Sequence, residues 1–237
     1  MKAKIWYLCH SGFAVQTAGH FLIFDYWKNK PKGMGLEGGV IDPKALSDHD
    51  VIVFVSHKHG DHFNRCIFEW KREIPKLRYV LSDDIPVVPG ATMIGPGETV
   101  AQHDFKVETL ASNDEGVAFF VEIDGMSIYH AGDLNWWHWD GEPDDENEEM
   151  ADRYKGQISL IKDRHIDLAF VPVDPRLEEQ YAWGINYFMQ TLDIGWVVPM
   201  HFGNDGSVVE RLLRDDTSIG YRDRVIGLVD RGASAEI

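Results

Sequence analysis

Six consecutive residues, His57-Lys58-His59-Gly60-Asp61-His62, carry three imidazoles and a carboxylate. Neutral imidazole and carboxylate are ordinary ligands for Zn²⁺ and for other divalent first-row metals. Histidine is scarce, with 11 in 237 residues, so a chance cluster of this density is rare. Two more residues of ligand type follow short apolar runs: Asp133 after Ile128-Tyr129-His130-Ala131-Gly132, and His201 after Val197-Val198-Pro199-Met200. Ligands at the same end of several strands are how a scaffold builds a metal site from residues distant in sequence. A divalent ion so held would lower the pKa of a bound water and polarise a substrate oxygen, favouring attack on an acyl carbon or a phosphorus.

Such a site needs rigid elements to present it. Asp50 to Ser56 is apolar on both faces, as a buried strand should be, and stops at His57. Gly60 can take unusual dihedrals and let the side chains after the strand converge. The segment Asp61 to Trp70 reads as a helix with Asp61 as N-cap. Further strands are expected at Ile5–Leu8, Phe21–Asp25, Val107–Leu110, Val117–Ile123, Met126–Tyr129, Ile166–Val173, Ile194–Met200 and Arg224–Val229. Asp124-Gly125 is the favoured two-residue hairpin turn. Helices are expected at Tyr154–Arg164 and Ser207–Arg214, with a loop between Lys28 and Gly39. The stretch Asp140 to Asp152 holds eight acids and no base; it reads as a solvated loop leading into a helix, or as a lid.

The order His57-x-His59-x-Asp61-His62, Ala131-Gly132-Asp133, His201 resembles the metallo-β-lactamase superfamily over nearly the whole chain. Leu8-Cys9-His10-Ser11-Gly12-Phe13, with Phe24-Asp25-Tyr26 after it, narrows the resemblance to the ascorbate-6-phosphate lactonase-like metal-dependent hydrolases. The resemblance implies an α/β (α+β) fold, a four-layer αββα sandwich formed by residues 1–237 as a single domain. It implies one or two divalent ions, Zn²⁺ or Mn²⁺ with Fe²⁺ as a third candidate. His57 and His59 would belong to a first site, Asp61, His62 and His201 to a second, and Asp133 would bridge them. A third first-site histidine is expected near Leu110 to Gly116, and none is there. Asp114 could replace it, Ser112 or Asn113 could hold a water, or a single ion could occupy the second site. An oxygen ligand would shift preference toward Mn²⁺ or Fe²⁺.

Within this scheme Asp61 is also a candidate to accept a proton from the water, and His10 or His138 to donate one to a leaving group. His10 could instead support a ligand. The indole of Trp136, with those of Trp137 and Trp139, could wall the site or fill core space. Arg176, after Val173-Asp174-Pro175, could grip an anionic substrate group or form a structural ion pair.

Composition bounds the function. A formal charge of −16 and no evident basic cluster argue against nucleic acid, and so against a ribonuclease or phosphodiesterase acting on RNA. Two cysteines, Cys9 and Cys66, suit a reducing compartment. His10 and Ser11 interrupt the N-terminal apolar run too early for a secretory signal, and no stretch is long enough to span a bilayer. A cytoplasmic hydrolase of a small molecule, free of membrane and nucleic acid, is the expectation; such folds often form homo-oligomers. A non-catalytic metal-binding or sensor module is the alternative.

Overall fold

The strand before the histidine cluster shows why the chain needs layers on both sides of a sheet. Val51, Val53 and Val55 point one way, Ile52 and Phe54 the other, and all five are buried. The computed structural model describes residues 2–31 and 33–237. Its first half contributes β1 (Lys4–Cys9), β2 (Gly12–Gln16), β3 (Phe21–Phe24), β4 (Val51–Val55), β5 (Leu77–Ser82) and β6 (Thr92–Ile94). Next come β7 (Thr99–Ala101), β8 (Phe105–Ala111), β9 (Val117–Ile123) and β10 (Met126–His130). The chain ends with α1 (Asp144–Ser159), β11 (His165–Pro172), α2 (Trp183–Thr191), β12 (Asp193–Met200), α3 (Ser207–Arg214) and β13 (Ser234–Glu236).

Two mixed sheets result, ordered β13-β1-β2-β3-β4-β5-β6 and β12-β11-β10-β9-β8-β7. β3, β4, β5 and β6 run parallel in the first, and β10, β11 and β12 in the second. Aromatic side chains fill the space between them. Phe24 stacks on Phe54 at 4.8 Å, Phe13 meets Phe170 at 4.4 Å, and Phe54 meets Phe119 at 5.5 Å. Burying each such ring contributes about 1.5–3 kcal/mol.

Register separates the faces of the second sheet. His130 pairs with Phe119 and Phe170, so these three share the inner face, while Tyr129 pairs with Phe120 on the outer one. Tyr129 meets Phe188 of α2 at 5.0 Å, which puts that helix outside the sheet. Tyr154 and Ile158 of α1 and Val208, Val209 and Leu212 of α3 join the same apolar cluster. The outer face of the first sheet, including Val53, Val55 and Tyr79, is covered by Leu46, Ile67 and Trp70 from 3₁₀ turns.

Several expectations change. The helix after the histidines is a 3₁₀ segment, Arg65–Arg72, and its cap is Asn64, whose side chain accepts the Cys66 N–H, rather than Asp61. The acidic stretch is largely helix: α1 starts at Asp144 and ends at Ser159, ten residues ahead of the expected start. Asp144, Asp145 and Glu146 lie in its first turn, where carboxylates meet the positive end of the helix dipole. Ala151, Tyr154 and Ile158 supply its buried stripe. Arg224–Val229 is not a regular strand; Val225 makes one isolated bridge to Val197, and the last strand is Ser234–Glu236. β2, β5, β6, β7 and α2 are additional elements. No helix among the described residues is long and apolar enough to cross a membrane.

Candidate metal centre

Five strands end on one rim. Asp25 follows β3, His57 follows β4, Asp133 follows β10, Asp174 follows β11 and His201 follows β12. Parallel strands bring their carboxyl ends together, and here two parallel runs from facing sheets do so across one cleft. The turn after His57 closes through the His62 and Phe63 N–H groups, both of which donate to the His59 carbonyl at 3.1 and 3.0 Å.

Unusual backbone occurs at the site residues themselves rather than at Gly60. His10, Asp25 and His201 have φ values of 58°, 45° and 66°, whereas Gly60 has no positive φ. A left-handed residue at a strand end redirects its side chain toward the cleft, at a cost of about 1–3 kcal/mol each. Gly132, at φ 52°, is required: a Cβ there would lie 2.8 Å from both Ser56 Cβ and the Val117 carbonyl.

Hydrogen bonds at one ring nitrogen leave the other bare. The wholly buried Asp25 accepts His62 Nδ1–H at 2.8 Å, and also the Ser56 N–H and Oγ–H at 2.8 and 2.7 Å. Because the Ser56 hydroxyl proton goes to Asp25, its oxygen accepts His57 Nδ1–H at 2.9 Å. Asp174 accepts His201 Nδ1–H at 3.0 Å. His57, His62 and His201 therefore turn their Nε2 atoms toward one another, the atoms that a metal would bind on displacing any proton there.

Those atoms converge on Asp133. Its Oδ1 lies 3.1 Å from His62 Nε2 and 3.2 Å from His201 Nε2, and its Oδ2 lies 3.5 Å from His57 Nε2. Donors sharing one tetrahedral ion stand about 3.3 Å apart. His57 Nε2, His62 Nε2 and Asp133 Oδ1 are buried yet lack hydrogen-bond partners, a costly state for polar atoms unless an ion satisfies them. The donor set fits divalent ions. Two groups of ligand atoms, each within 4.8 Å, are His57, His59 and Asp133, and His10, His62 and His201.

His10 differs from the others. Its Nδ1 accepts the Gly203 N–H at 3.1 Å, so the neutral ring carries its proton on Nε2, 3.6 Å from Asp61 Oδ2. Burial, then the neighbouring His201 and His62, push its pKa down to about 3, which keeps it neutral. For His62, burial acts downward most strongly, but Asp133 and Asp25 outweigh it and hold the ring at about 10. His201 behaves alike, reaching about 9 through Asp133 and Asp174. Burial would raise Asp133, yet His201 and His62 keep it well below the carboxylate range.

The cleft is lined by His59, Asp61, Asp114, Trp137, Trp139 and Arg176, among others, and holds about 280 Å³. Asp61 and Asp114 reach the cleft but belong to neither convergent group. Arg176 forms the ion pair, its Nε and Nη2 on Asp174 at 3.0 and 2.5 Å, and lies over Trp139 at 5.6 Å. Sides alternate along the tryptophan segment. Trp137 and Trp139 stack at 5.9 Å on the cleft side. Trp136 and His138 are outside that lining and pack on Trp183 at 5.3 and 4.7 Å.

Asp25, Ser56, Glu115, His130 and Asp174 are functional neighbours that sequence reasoning missed. His130 donates Nε2–H to the Ser11 carbonyl at 2.8 Å and accepts the Gly132 N–H, tying the site's loops together. Asp25 and Asp174 did carry one signal, an acid immediately past a buried strand.

The architecture is shared with known proteins. A "UPF0173 metal-dependent hydrolase" from Opitutus terrae is 24% identical over 233 residues, covering 86% of this chain and 87% of that protein. A match to the "UPF0173 metal-dependent hydrolase" of Thermococcus onnurineus spans 55% of this chain and 61% of that protein, at 25% identity. Among solved structures, Igni18, described as a metallo hydrolase from Ignicoccus hospitalis, superposes with a TM-score of 0.61 at 17% identity over 99% of both chains. The metallo-beta-lactamase fold protein YhfI from Bacillus subtilis gives 0.59 at 13% identity, again over 99% of both. At these identities the likeness establishes the fold, the metallo-β-lactamase fold. Residues 4–138, more than half of the chain, match the beta-lactamase superfamily domain, and the chain belongs to that superfamily.

Proposed function

We propose that this protein is a metal-dependent hydrolase of a small molecule carrying a lactone, ester or phosphorylated sugar group. One observation carries the reading: Asp133 directs its two oxygens toward the Nε2 atoms of three imidazoles, those of His62 and His201 on one side and His57 on the other. The names of its relatives as metal-dependent hydrolases support it. The Leu8–Phe13 segment, which sets His10 against His201 and His62, supports the lactonase-like branch within that class.

One or two divalent ions, Zn²⁺ or Mn²⁺, would supply a water of lowered pKa and an electrophile for the substrate oxygen. His57, His59, His62, Asp133 and His201 would hold them, with Asp61 or Asp114 closing the coordination. His10 holds Nε2–H on the Asp61 side of the centre, from where it would hydrogen-bond a leaving-group oxygen. Asp61, 3.6 Å away, can accept a proton from the water. Trp137 and Trp139 offer an apolar wall. Nε and Nη2 of Arg176 are engaged by Asp174, which leaves Nη1 for an anionic substrate group.

The test is chelated protein reloaded with Zn²⁺ or Mn²⁺ and assayed on lactone, thioester and phosphodiester panels. Metal-dependent turnover is expected on one of them; none on any panel overturns the enzyme reading. His59→Ala is expected to lower metal content. The missing third histidine favours one second reading, a metal-binding sensor without turnover, which predicts tight metal uptake with no substrate converted.

A further inference from the structure

We infer that the two halves of the metal centre are unequal, with His62, His201 and Asp133 holding the first ion tightly and His57 and His59 a weaker, exchangeable one that depends on Glu115. This rests on the hydrolase reading only in requiring divalent ions at these residues.

The deep half is rigid. His62, His201 and Asp133 are 0%, 4% and 5% exposed. Both imidazoles are anchored at Nδ1 by buried carboxylates, Asp25 and Asp174. An anionic acceptor fixes the ring and raises the basicity of the opposite nitrogen.

The outer half is less firmly held, although His57 is as buried as His62. His57 is anchored by the Ser56 hydroxyl, a neutral group. The His59 side chain is 42% exposed, and its Nε2 faces Glu115 Oε2 at 3.4 Å. That same oxygen is 2.9 Å from Lys58 Nζ. Among the described residues, Glu115 is the carboxylate paired with His59, and it also holds the exposed Lys58. With Nε2 directed at Glu115, the Nδ1 atom of His59 is the one left to face a metal.

In the loop that lacks the third histidine, Ser112 and Asn113 are engaged elsewhere, which leaves the Asp114 carboxylate as the donor there that lines the cleft. The Asn113 amide donates to the Asn135 and Met150 carbonyls at 2.8 and 3.3 Å, and its oxygen accepts the Asn135 N–H. Ser112 Oγ accepts the Asp114 N–H at 3.1 Å. A second ion would also sit close to the first, across the shared Asp133, and pay their mutual repulsion. Fewer fixed donors, a looser ring and like-charge repulsion all weaken the outer position.

The experiment is calorimetric titration of the chelated full-length protein with Zn²⁺, with metal content measured in parallel. Two binding steps are expected, the second at least about 10-fold weaker, matching the typical effect of an outer-shell partner. Glu115→Gln should weaken only the second step by about 10-fold, and His57→Ala should abolish that step while one ion remains bound. A single step with two equivalent ions overturns the proposal, as does a second step lost in Asp114→Asn and kept in Glu115→Gln. Absence of any Zn²⁺ uptake sinks the hydrolase reading as well. Melting curves of each variant without metal separate misfolding from lost ligation.

Discussion

Asp25 accepts the Nδ1 proton of His62 at 2.8 Å from a position with no solvent exposure, across 37 residues of sequence. The same carboxylate fixes His57 through the Ser56 hydroxyl, so one buried charge sets the tautomer of two rings. It lies below the ordinary carboxylate range although burial acts upward most strongly, because His130, His62 and His57 together outweigh it.

Asp25→Asn should therefore reduce metal affinity more than the loss of any exposed acid. The new amide would face a ring N–H with its own donor or give up the Ser56 bonds, and affinity should fall about 10–100-fold. Competition against a chromogenic chelator measures it; wild-type affinity in the variant would contradict the relay.

His10→Ala separates a donor from a ligand. Metal stoichiometry should remain that of the wild type, since His10 Nδ1 is committed to Gly203 and Nε2 carries a proton. Turnover on whichever substrate proves active should drop about 10²–10³-fold if the neutral ring hydrogen-bonds the leaving-group oxygen. Loss of a bound ion in this variant would place His10 among the ligands.

Gly132→Ala tests the approach of two loops. The left-handed backbone alone costs about 1–3 kcal/mol, and the new Cβ would press on Ser56 and Val117 at 2.8 Å. Each kcal/mol lowers Tm by about 2–4 °C in a chain of this size. Thermal unfolding should show the drop even without metal; an unchanged Tm would mean that the loops yield freely.

The opposite end of the sandwich has its own pH dependence. His20, in the β2–β3 turn, donates to Asp124 and Asp104, both at 2.9 Å, and Arg78 also binds Asp104 and Asp50. Burial lowers the His20 pKa, yet the two aspartates outweigh it and the net shift is upward. Its stabilisation is thus complete below the unfolded histidine value near 6.5 and is lost as pH rises through the folded value. Asp124 and Asp104 are depressed, so their share is present above the unfolded carboxylate value near 3.9 and is lost as pH falls through their folded values. His20→Ala should cost about 0.5–1 kcal/mol at pH 5.5 and less at pH 8.5. Urea unfolding at the two pH values checks this, and an equal cost at both would refute the charged clamp.

Much of the site could be read locally. His57, His59, Asp61 and His62 fall within one turn of chain, and Asp133 and His201 follow apolar runs that match β10 and β12. The acceptors behind them could not be read. Asp25 and Asp174 meet their histidines 37 and 27 residues away, and one acid after one strand looks like any other. α1 was hidden for a different reason: its acidic first turn resembles a solvated loop, and only packing of Ala151, Tyr154 and Ile158 reveals the helix.

The sequence by itself determined the ligand types, the strand that presents them and the superfamily, because those depend on local spacing and hydrophobic period. Tertiary structure alone decided which nitrogen of each ring is turned toward Asp133, that His10 keeps its proton on Nε2, that Trp137 and Trp139 line the cleft while Trp136 and His138 pack elsewhere, and that Glu115 stands beside His59. Each of these depends on partners brought together by two facing sheets, and a hydrogen-bond acceptor has no signature until the fold places it within 3 Å of its donor.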